Sequence, residues 1–395
     1  MMPSSAKAAA RPAQWMLGLI VSMIVVTSSC GRSIERQSLT EARWTPVSIE
    51  IHQGLRQAVY DPRRDSIWIL TAPADPRLPA LEEKLVELTE YRITTRETIQ
   101  HRSPLTSRTL GIGNAMAIDA NGDLWMAWDQ NLVRFRPSDG SFESWEIAPT
   151  VLADPEEGST ARMAVALAID QSSAVWVTVD GAPSAYRFVV DETRWEVISL
   201  GDVVTTTEKR ITVTSSHGIA VNGIAGGSSS AAPKLALLDS RDWKPRSGKV
   251  AARQIAPLNE TAIAYTDDRD RVGAANSTDG RSIYSRAIGK VPPRALTTHG
   301  ERIWVWVMEE GRVVVHRMDP RNDQMDRVTF PHREGFGRGS FSDYRGDAPA
   351  TQFSIADPDI QEMIVDKRGV AWLVTSHAGV TSDRGGYEPL YRLMI

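Results

Sequence analysis

One stretch of the chain, residues 116–147, divides into four short β-forming segments. Its sequence is MAIDANGDLWMAWDQNLVRFRPSDGSFESWEI. β-Branched and aromatic residues recur in it at a spacing near two, and Asp, Asn and Gly separate the segments. This is the pattern of antiparallel strands joined by tight turns. The stretch therefore predicts one sheet of four consecutive strands.

The same pattern recurs along the chain, and most copies carry a tryptophan on the second segment. Further copies occupy residues 58–72, 167–200, 210–226, 253–268, 296–330 and 363–377. The marker positions are Trp68, Trp125, Trp176, Val221, Ala264 or Tyr265, Trp304 and Trp372. They are separated by 57, 51, 45, 43, 40 and 68 residues, and the shortest steps match the roughly 40–45 residues of a four-stranded propeller blade.

Seven markers predict an all-β chain folded as a seven-bladed β-propeller of four-stranded antiparallel blades, spanning residues 44–395. A ring of sheets lets a segment too long for one ordinary core bury every blade against the next. A pair of β-sandwiches or a β-helix is the alternative. Neither would place Trp on the second strand of successive four-strand units.

The last copy lacks a fourth strand before the chain ends at Ile395. A spare strand, within RWTPVSIEI, precedes the first copy and resembles the fourth strand RWEVISL of a complete copy. We therefore expect residues 44–51 to complete the last blade. Closure of this kind removes an unpaired sheet edge and ties the two ends of the propeller together.

The N-terminal residues have the parts of a secretory signal. Lys7 and Arg11 precede an apolar run at residues 15–26, and small polar residues follow up to Cys30, the single cysteine of the chain. The run is shorter than the roughly 20 apolar residues of a stable membrane-spanning helix. An ordinary signal peptide with an incidental cysteine and an uncleaved signal anchor are the alternatives to the interpretation that follows.

The sequence TSSC resembles the cleavage box of bacterial lipoproteins, although Thr27 stands where that family prefers Leu. The resemblance implies that residues 1–29 are removed, that Cys30 is lipidated, and that residues 30–43 tether the propeller. It also implies a cell-membrane or outer-membrane location with the propeller on the extracytoplasmic side. Gly31, in place of Asp, implies the outer membrane if the source is Gram-negative.

Charge is nearly balanced along the chain. The sequence has 45 basic and 49 acidic residues, for a formal net charge of −4, and no block of like charge. Nucleic-acid-binding domains usually carry a clustered basic surface. The sequence therefore predicts no nucleic acid partner.

The copies DANGDLWMAW and DKRGVAWLVT resemble the D-x-x-G-x-L-W repeat of streptogramin lyases and of two-component-regulator sensor propellers. The lyases use a His and Glu cluster with Mg²⁺, whereas the seven histidines here form no H-x-H, H-E-x-x-H or E-x-H motif. Asp119, Asn121 and Asp123 begin like a calcium loop, but Leu124 stands where that loop needs Gly, and a strand turn explains them. We therefore expect no cofactor and no metal site.

The long connections of the predicted blades concentrate at one end of the ring, where binding loops are typically found. The strongest candidate is the segment 332–354, which combines aromatic side chains with arginines. Its candidate binding residues are Arg333, Phe336, Arg338, Phe341, Asp343, Tyr344 and Arg345. The sequence predicts a lipid-anchored scaffold that binds an envelope protein or glycan; the alternative is a metal-dependent lyase or hydrolase of the streptogramin-lyase type.

Lipidation at Cys30 is directly testable. Cells grown with an alkyne-bearing palmitate should label the native chain and fail to label Cys30→Ser, because the thiol is the acceptor that the lipoprotein resemblance implies. Ser29→Ala keeps a small residue before the cysteine and should label normally. Equal labelling of Cys30→Ser and the native chain would contradict the lipoprotein interpretation.

Overall fold

The computed structural model describes the strands of the propeller and most of its short turns. The described residues are 39, 42–49, 54–72, 85–106, 115–128, 131–147, 164–204, 211–214, 218–225, 232–289, 292–310, 312–330, 339–340, 352–353, 360–375 and 390–394. Apart from a 3-10 turn at Val190–Glu192 and the 3-10 residue Leu39, the regular elements of the described residues are β-strands. No helix in it is long and apolar enough to cross a membrane.

Seven antiparallel sheets form the blades, as predicted. Blade 1 contains β2 (Gly54–Asp61), β3 (Ser66–Ala72), β4 (Leu85–Arg92) and β5 (Glu97–Thr106). Blade 2 contains β6 (Ala115–Ile118), β7 (Leu124–Trp128), β8 (Asn131–Arg136) and β9 (Ser141–Glu146). Blade 3 contains β10 (Ala164–Ile169), β11 (Val175–Val179), β12 (Ser184–Val189) and β13 (Arg194–Ser199).

Blade 4 is irregular, because two short strands, β14 (Val203–Val204) and β15 (Ile211–Thr214), pair with different parts of its second strand. Its other strands are β16 (Gly218–Ala225), β17 (Pro233–Asp239) and β18 (Pro245–Ser247). Blade 5 contains β19 (Gln254–Asn259), β20 (Ala262–Thr266), β21 (Arg271–Asn276) and β22 (Ser282–Ala287). Blade 6 contains β23 (Ala295–His299), β24 (Arg302–Glu309), β25 (Arg312–Asp319) and β26 (Gln324–Thr329).

Blade 7 joins the two ends of the propeller. It contains β29 (Ile360–Val365), β30 (Ala371–Thr375), β31 (Leu390–Met394) and β1 (Arg43–Val47). β1 runs antiparallel to β31, with Arg43 opposite Met394 and Val47 opposite Leu390. The N-terminal strand therefore completes the last blade as the sequence predicted, over a slightly shorter stretch.

The first strands of the blades contact one another in cyclic order around the axis. Seven hydrophobic clusters of described residues hold the ring together, one at each interface between neighbouring blades. The marker tryptophans are buried in five of these interfaces, each facing the following blade. Burial of apolar area is thus spread around a circle instead of being collected in one central core.

The two ends of the ring differ in their connections. Turns between first and second strands and between third and fourth strands lie at one end, which we call the short-turn end. Turns between second and third strands and the links between blades lie at the other, the long-connection end. Among its connections are residues 73–84, 148–163, 331–359 and 376–389. In 331–359 a two-residue pairing joins β27 (Gly339–Ser340) and β28 (Gln352–Phe353).

Substitution of Trp44 tests how much the closing strand β1 contributes to stability. Its side chain is 7% exposed and packs with Phe330 and Tyr391, whereas the neighbouring Thr45 points to solvent. We expect Trp44→Ala to lower the free energy of unfolding by about 3–5 kcal/mol, the usual loss for a large buried aromatic side chain. Thr45→Ala should change it by less than about 0.5 kcal/mol.

Urea denaturation followed by circular dichroism measures both values. Equal stability of the two variants would mean that β1 contributes little to ring closure.

Candidate functional site

The Asp119 turn, which resembled the start of a calcium loop, is a structural turn. Asp119 Oδ1 accepts hydrogen bonds from the backbone N–H groups of Asn121 at 2.7 Å and Asp123 at 3.0 Å. Its Oδ2 accepts the indole N–H of Trp125 at 3.1 Å. Both carboxylate oxygens are therefore engaged by the chain itself, one holding the turn and the other satisfying a buried indole.

The same arrangement recurs in blades 3 and 7. Asp170 Oδ2 accepts from Trp176 Nε1 at 2.9 Å, and Asp366 Oδ2 accepts from Trp372 Nε1 at 3.1 Å. In each case Oδ1 accepts the N–H groups two and four residues further on. The repeated Asp and the Trp six residues later thus form one unit: the Asp closes the turn that positions the Trp.

Arginines on the third strand cover the same tryptophans, a feature that the sequence predictions missed. Arg134 stands opposite Trp125 in register, with Cζ 5.4 Å from the ring centroid, and its Nε donates to Asp123 at 2.8 Å. The equivalent pairs are Arg187 with Trp176, Arg317 with Trp304 and Arg392 with Trp372. A guanidinium over an aromatic face is favourable, and an adjacent carboxylate fixes its position.

The Asp170 carboxylate is engaged by contacts within the fold. Burial raises the pKa of Asp170, but hydrogen bonds from Ser172, Trp176 and Arg187 outweigh it and leave the pKa below its usual range. The carboxylate is therefore ionised near neutral pH and fully occupied. We assign it no role with a ligand.

The described histidines are likewise engaged within the fold. His316, 2% exposed, lies with Nε2 2.9 Å from Glu309 Oε1, and burial lowers its pKa. His101 packs between Trp68 and Phe135, and His299 ends β23. His52, His217, His332 and His377 lie outside the described residues. Among the described residues, no group of three His, Cys, Asp or Glu side chains is placed to hold a metal ion.

The residues predicted for lipidation and binding fall outside the described part of the chain. Cys30 precedes Leu39, the first described residue. The side chains of Arg333, Phe336, Arg338, Phe341, Asp343, Tyr344 and Arg345 are not described. Both predictions remain predictions. The strand order does show that the segment 332–354 lies between the last strand of blade 6 and the first strand of blade 7, and so belongs to the long-connection end.

A cavity of about 600 Å³ opens on the ring axis at the short-turn end. First-strand side chains give it apolar walls, among them Val59, Ile118 and Ile169, and Arg63 and Asp61 stand at its mouth. Such a space suits an apolar group more than a polar substrate.

A second cavity, of about 290 Å³, lies between blades 3 and 4. Its lining includes Trp243, whose φ is 53°, and Arg187, whose guanidinium is held by Asp170, Glu196 and Ser172. Each nitrogen of that guanidinium already donates to one of these groups, and the other polar side chains of the lining include Gln171, Ser172 and Ser240.

Solved structures similar to this chain are propellers. Virginiamycin B lyase from Staphylococcus aureus aligns with a TM-score of 0.59 and 12% identity, over 90% of this chain and 100% of that one. U3-55K aligns with a TM-score of 0.59 and 9% identity, over 89% and 98%. The RRP9 WD40 repeats align with a TM-score of 0.58 and 10% identity, over 90% and 98%.

No protein-family model matches the sequence, and no curated protein matches it. Identities this low establish a shared fold and leave the activity open. The predicted resemblance to the propeller of streptogramin lyases is therefore confirmed at the level of the fold.

Glu90 should make the stability of blade 1 depend on pH. Burial raises the pKa of Glu90, but three neighbours have the larger, opposite effect and bring the pKa to about 2. They are His101, with Nε2 3.8 Å from Glu90 Oε2, Ser66, whose Oγ donates to Glu90 Oε1 at 2.8 Å, and Arg92. A carboxyl with a depressed folded-state pKa stabilises the protein above its unfolded pKa, near 4.5, and loses that contribution as pH falls to about 2.

Melting temperatures measured between pH 5 and about 2 should therefore fall less steeply for Glu90→Gln than for the native chain. Glu97→Gln, at an exposed position in the same blade, is the control and should leave the slope unchanged. A Glu90→Gln slope equal to the native slope would contradict the assigned shift.

Proposed function

We propose that the protein is a lipid-anchored envelope propeller that binds a protein or glycan at its long-connection end. The shared fold alone does not support this function, because propellers have many different activities. The support comes from the polarity of the ring: the chain enters at one end, and the long connections lie at the other.

The direction of β1 is the observation that carries the proposal. Arg43 lies opposite Met394, where the third strand of blade 7 finishes, so the N-terminal segment reaches the propeller at the short-turn end. A lipid on Cys30 would hold that end towards the membrane. The long connections, including 332–354, would then face away from the membrane and towards soluble partners or the cell wall.

The length of the tether limits how far the propeller stands from its anchor. Leu39 is fully buried with Trp44 and Phe330, so the segment that can extend lies between Cys30 and Leu39. At about 3.5 Å per residue its reach is roughly 30 Å. Anchoring would therefore keep the short-turn end within about one propeller diameter of the bilayer.

Shortening the predicted binding segment tests the proposal. Residues 333–354 would be replaced by a short Gly-Ser linker, and the protein immobilised and exposed to detergent-solubilised envelope and to purified peptidoglycan. We expect the partner retained by the native chain to be lost, because the segment supplies the aromatic and arginine side chains suited to recognition.

Arg241→Ala, an exposed change at the short-turn end, is the matched control and should retain the partner. The melting temperature of the shortened variant should stay close to the native value, because a surface link tolerates such changes in length. Equal retention by the shortened variant would remove this segment from the proposal.

A metal-dependent lyase or hydrolase is the alternative, and the likeness to virginiamycin B lyase in fold is what favours it. Its metal ligands would have to come at least in part from residues outside the described set. Stoichiometric Mg²⁺ binding by the purified chain, lost on substitution of His217 or His377, would favour this alternative over a binding scaffold.

A further inference from the structure

Blades 1 and 7 carry a concentration of basic side chains at the short-turn end. Five exposed residues make up this basic patch: Arg43, Arg63, Arg64, Arg96 and Lys367. The turns of the two blades are joined directly, because the backbone N–H of Lys367 donates to Tyr60 Oη at 3.0 Å. The patch is therefore one continuous surface across the seam of the ring.

Most of this charge is not neutralised by exposed carboxylates. Arg43, Arg63 and Arg96 have no carboxylate within ion-pair distance among the described residues. Arg64 lies 3.9 Å from Asp61 and Lys367 lies 3.8 Å from Asp65. Both of those carboxyl groups are buried.

The acidic groups around the patch are, apart from Glu97, buried and already engaged. Asp61 and Asp366 close their own turns through backbone N–H groups, and Asp65 accepts hydrogen bonds from Tyr60 and Thr94. Glu90 lies buried beneath Arg92. Glu97, 3.7 Å from Arg92, is the exposed carboxylate among the described residues of this surface.

Blades 4 and 5 show the opposite pattern at the same end of the ring. Arg241 pairs with Asp239 at 2.6 Å, Lys244 with Asp242 at 3.5 Å and Arg281 with Asp279 at 3.7 Å. The short-turn end therefore has a basic side, at blades 7 and 1, and an internally neutralised side across the ring.

The basic side is also where the N-terminal segment arrives. Arg43 begins the closing strand, and Met394 opposite it is one of three large apolar side chains exposed in the described structure. An apolar side chain set among cations is the composition of surfaces that rest in a membrane interface. One acyl chain gives only marginal membrane binding, and stable attachment takes a second signal such as a basic patch.

We propose that the basic patch binds the phosphate groups of anionic phospholipids and lays the short-turn end against the bilayer. This inference rests on the proposed anchoring at Cys30 and deepens it. Lipid and patch act as two attachments on one side of the ring. Together they fix the direction in which the long-connection end points, whereas the lipid alone would leave the orientation of the propeller unfixed.

Vesicle binding by the unacylated chain isolates the patch from the lipid. Residues 30–395 carrying Cys30→Ser would be sedimented with vesicles of phosphatidylcholine, with and without phosphatidylglycerol. We expect binding to the anionic vesicles alone, weakened by salt. Each basic residue near an anionic surface contributes about fivefold in partitioning. Loss of three cations in Arg43→Glu, Arg63→Glu and Arg96→Asp should therefore weaken binding by at least about a hundredfold, and the introduced carboxylates add repulsion. Asp suits position 96, where φ is 61°.

The control variant combines Arg241→Glu, Lys244→Glu and Arg281→Glu, which changes the net charge equally on the neutralised side. It should bind anionic vesicles within about twofold of the unreversed chain, and unchanged melting temperatures would show that both variants fold. Equal weakening in the control, or equal binding to phosphatidylcholine alone, would overturn the proposal. So would retention on an immobilised oligonucleotide without vesicle binding, which would assign the patch to another polyanion.

The palmitate labelling of Cys30 is read out separately from this experiment. Vesicle binding without labelling would preserve the patch and remove the anchor. Labelling without vesicle binding would preserve the anchor and remove the patch.

Discussion

The ring depends on buried tryptophans, and in blades 2, 3 and 7 each of them is held by its own turn, its own sheet and the next blade. The indole N–H of Trp125, Trp176 and Trp372 is taken up by an Asp in the preceding turn, while an arginine from the third strand covers the ring. Each ring is also buried in the interface with the next blade. One side chain therefore joins a turn, a sheet and an interface, and a ring of separate sheets becomes a single structure.

Blades 4 and 5 lack the whole unit. In blade 4 Val221 faces Ala236, and in blade 5 Ala264 faces Ala274, so the tryptophan and its arginine are absent together. Blade 5 instead packs the Tyr265 ring on Gly273, where any Cβ would come within 2.8 Å of the ring. Blade 1 is intermediate, because it keeps the buried Trp68 but has Glu90 in place of the arginine opposite it.

The sequence predicted the fold well because the tryptophan spacing reports strand order directly. Seven markers, all on second strands, and a spare strand before the first copy were sufficient for the ring and its closure. The site could be predicted only in part. Arg134 and Arg187 are visible in the sequence of their copies, but their role can be recognised only from the cross-strand register that places them over Trp125 and Trp176. The basic patch joins residues such as Arg96 and Lys367, which are far apart in the chain and meet only when the ring closes.

The closing strand also sets the order of events during synthesis. β1 is the first strand of the propeller to be made, and its partner β31 is the last. Until β31 is made, β1 and one edge of β30 have no partner strand, and unpaired edges are the part of a β-protein most prone to join other chains. Pairing across nearly the whole chain is also slow. A chain cut short before β31 would leave Trp44 and Leu39 without the strand that covers them. Exposure of these two apolar side chains would therefore mark an incomplete chain.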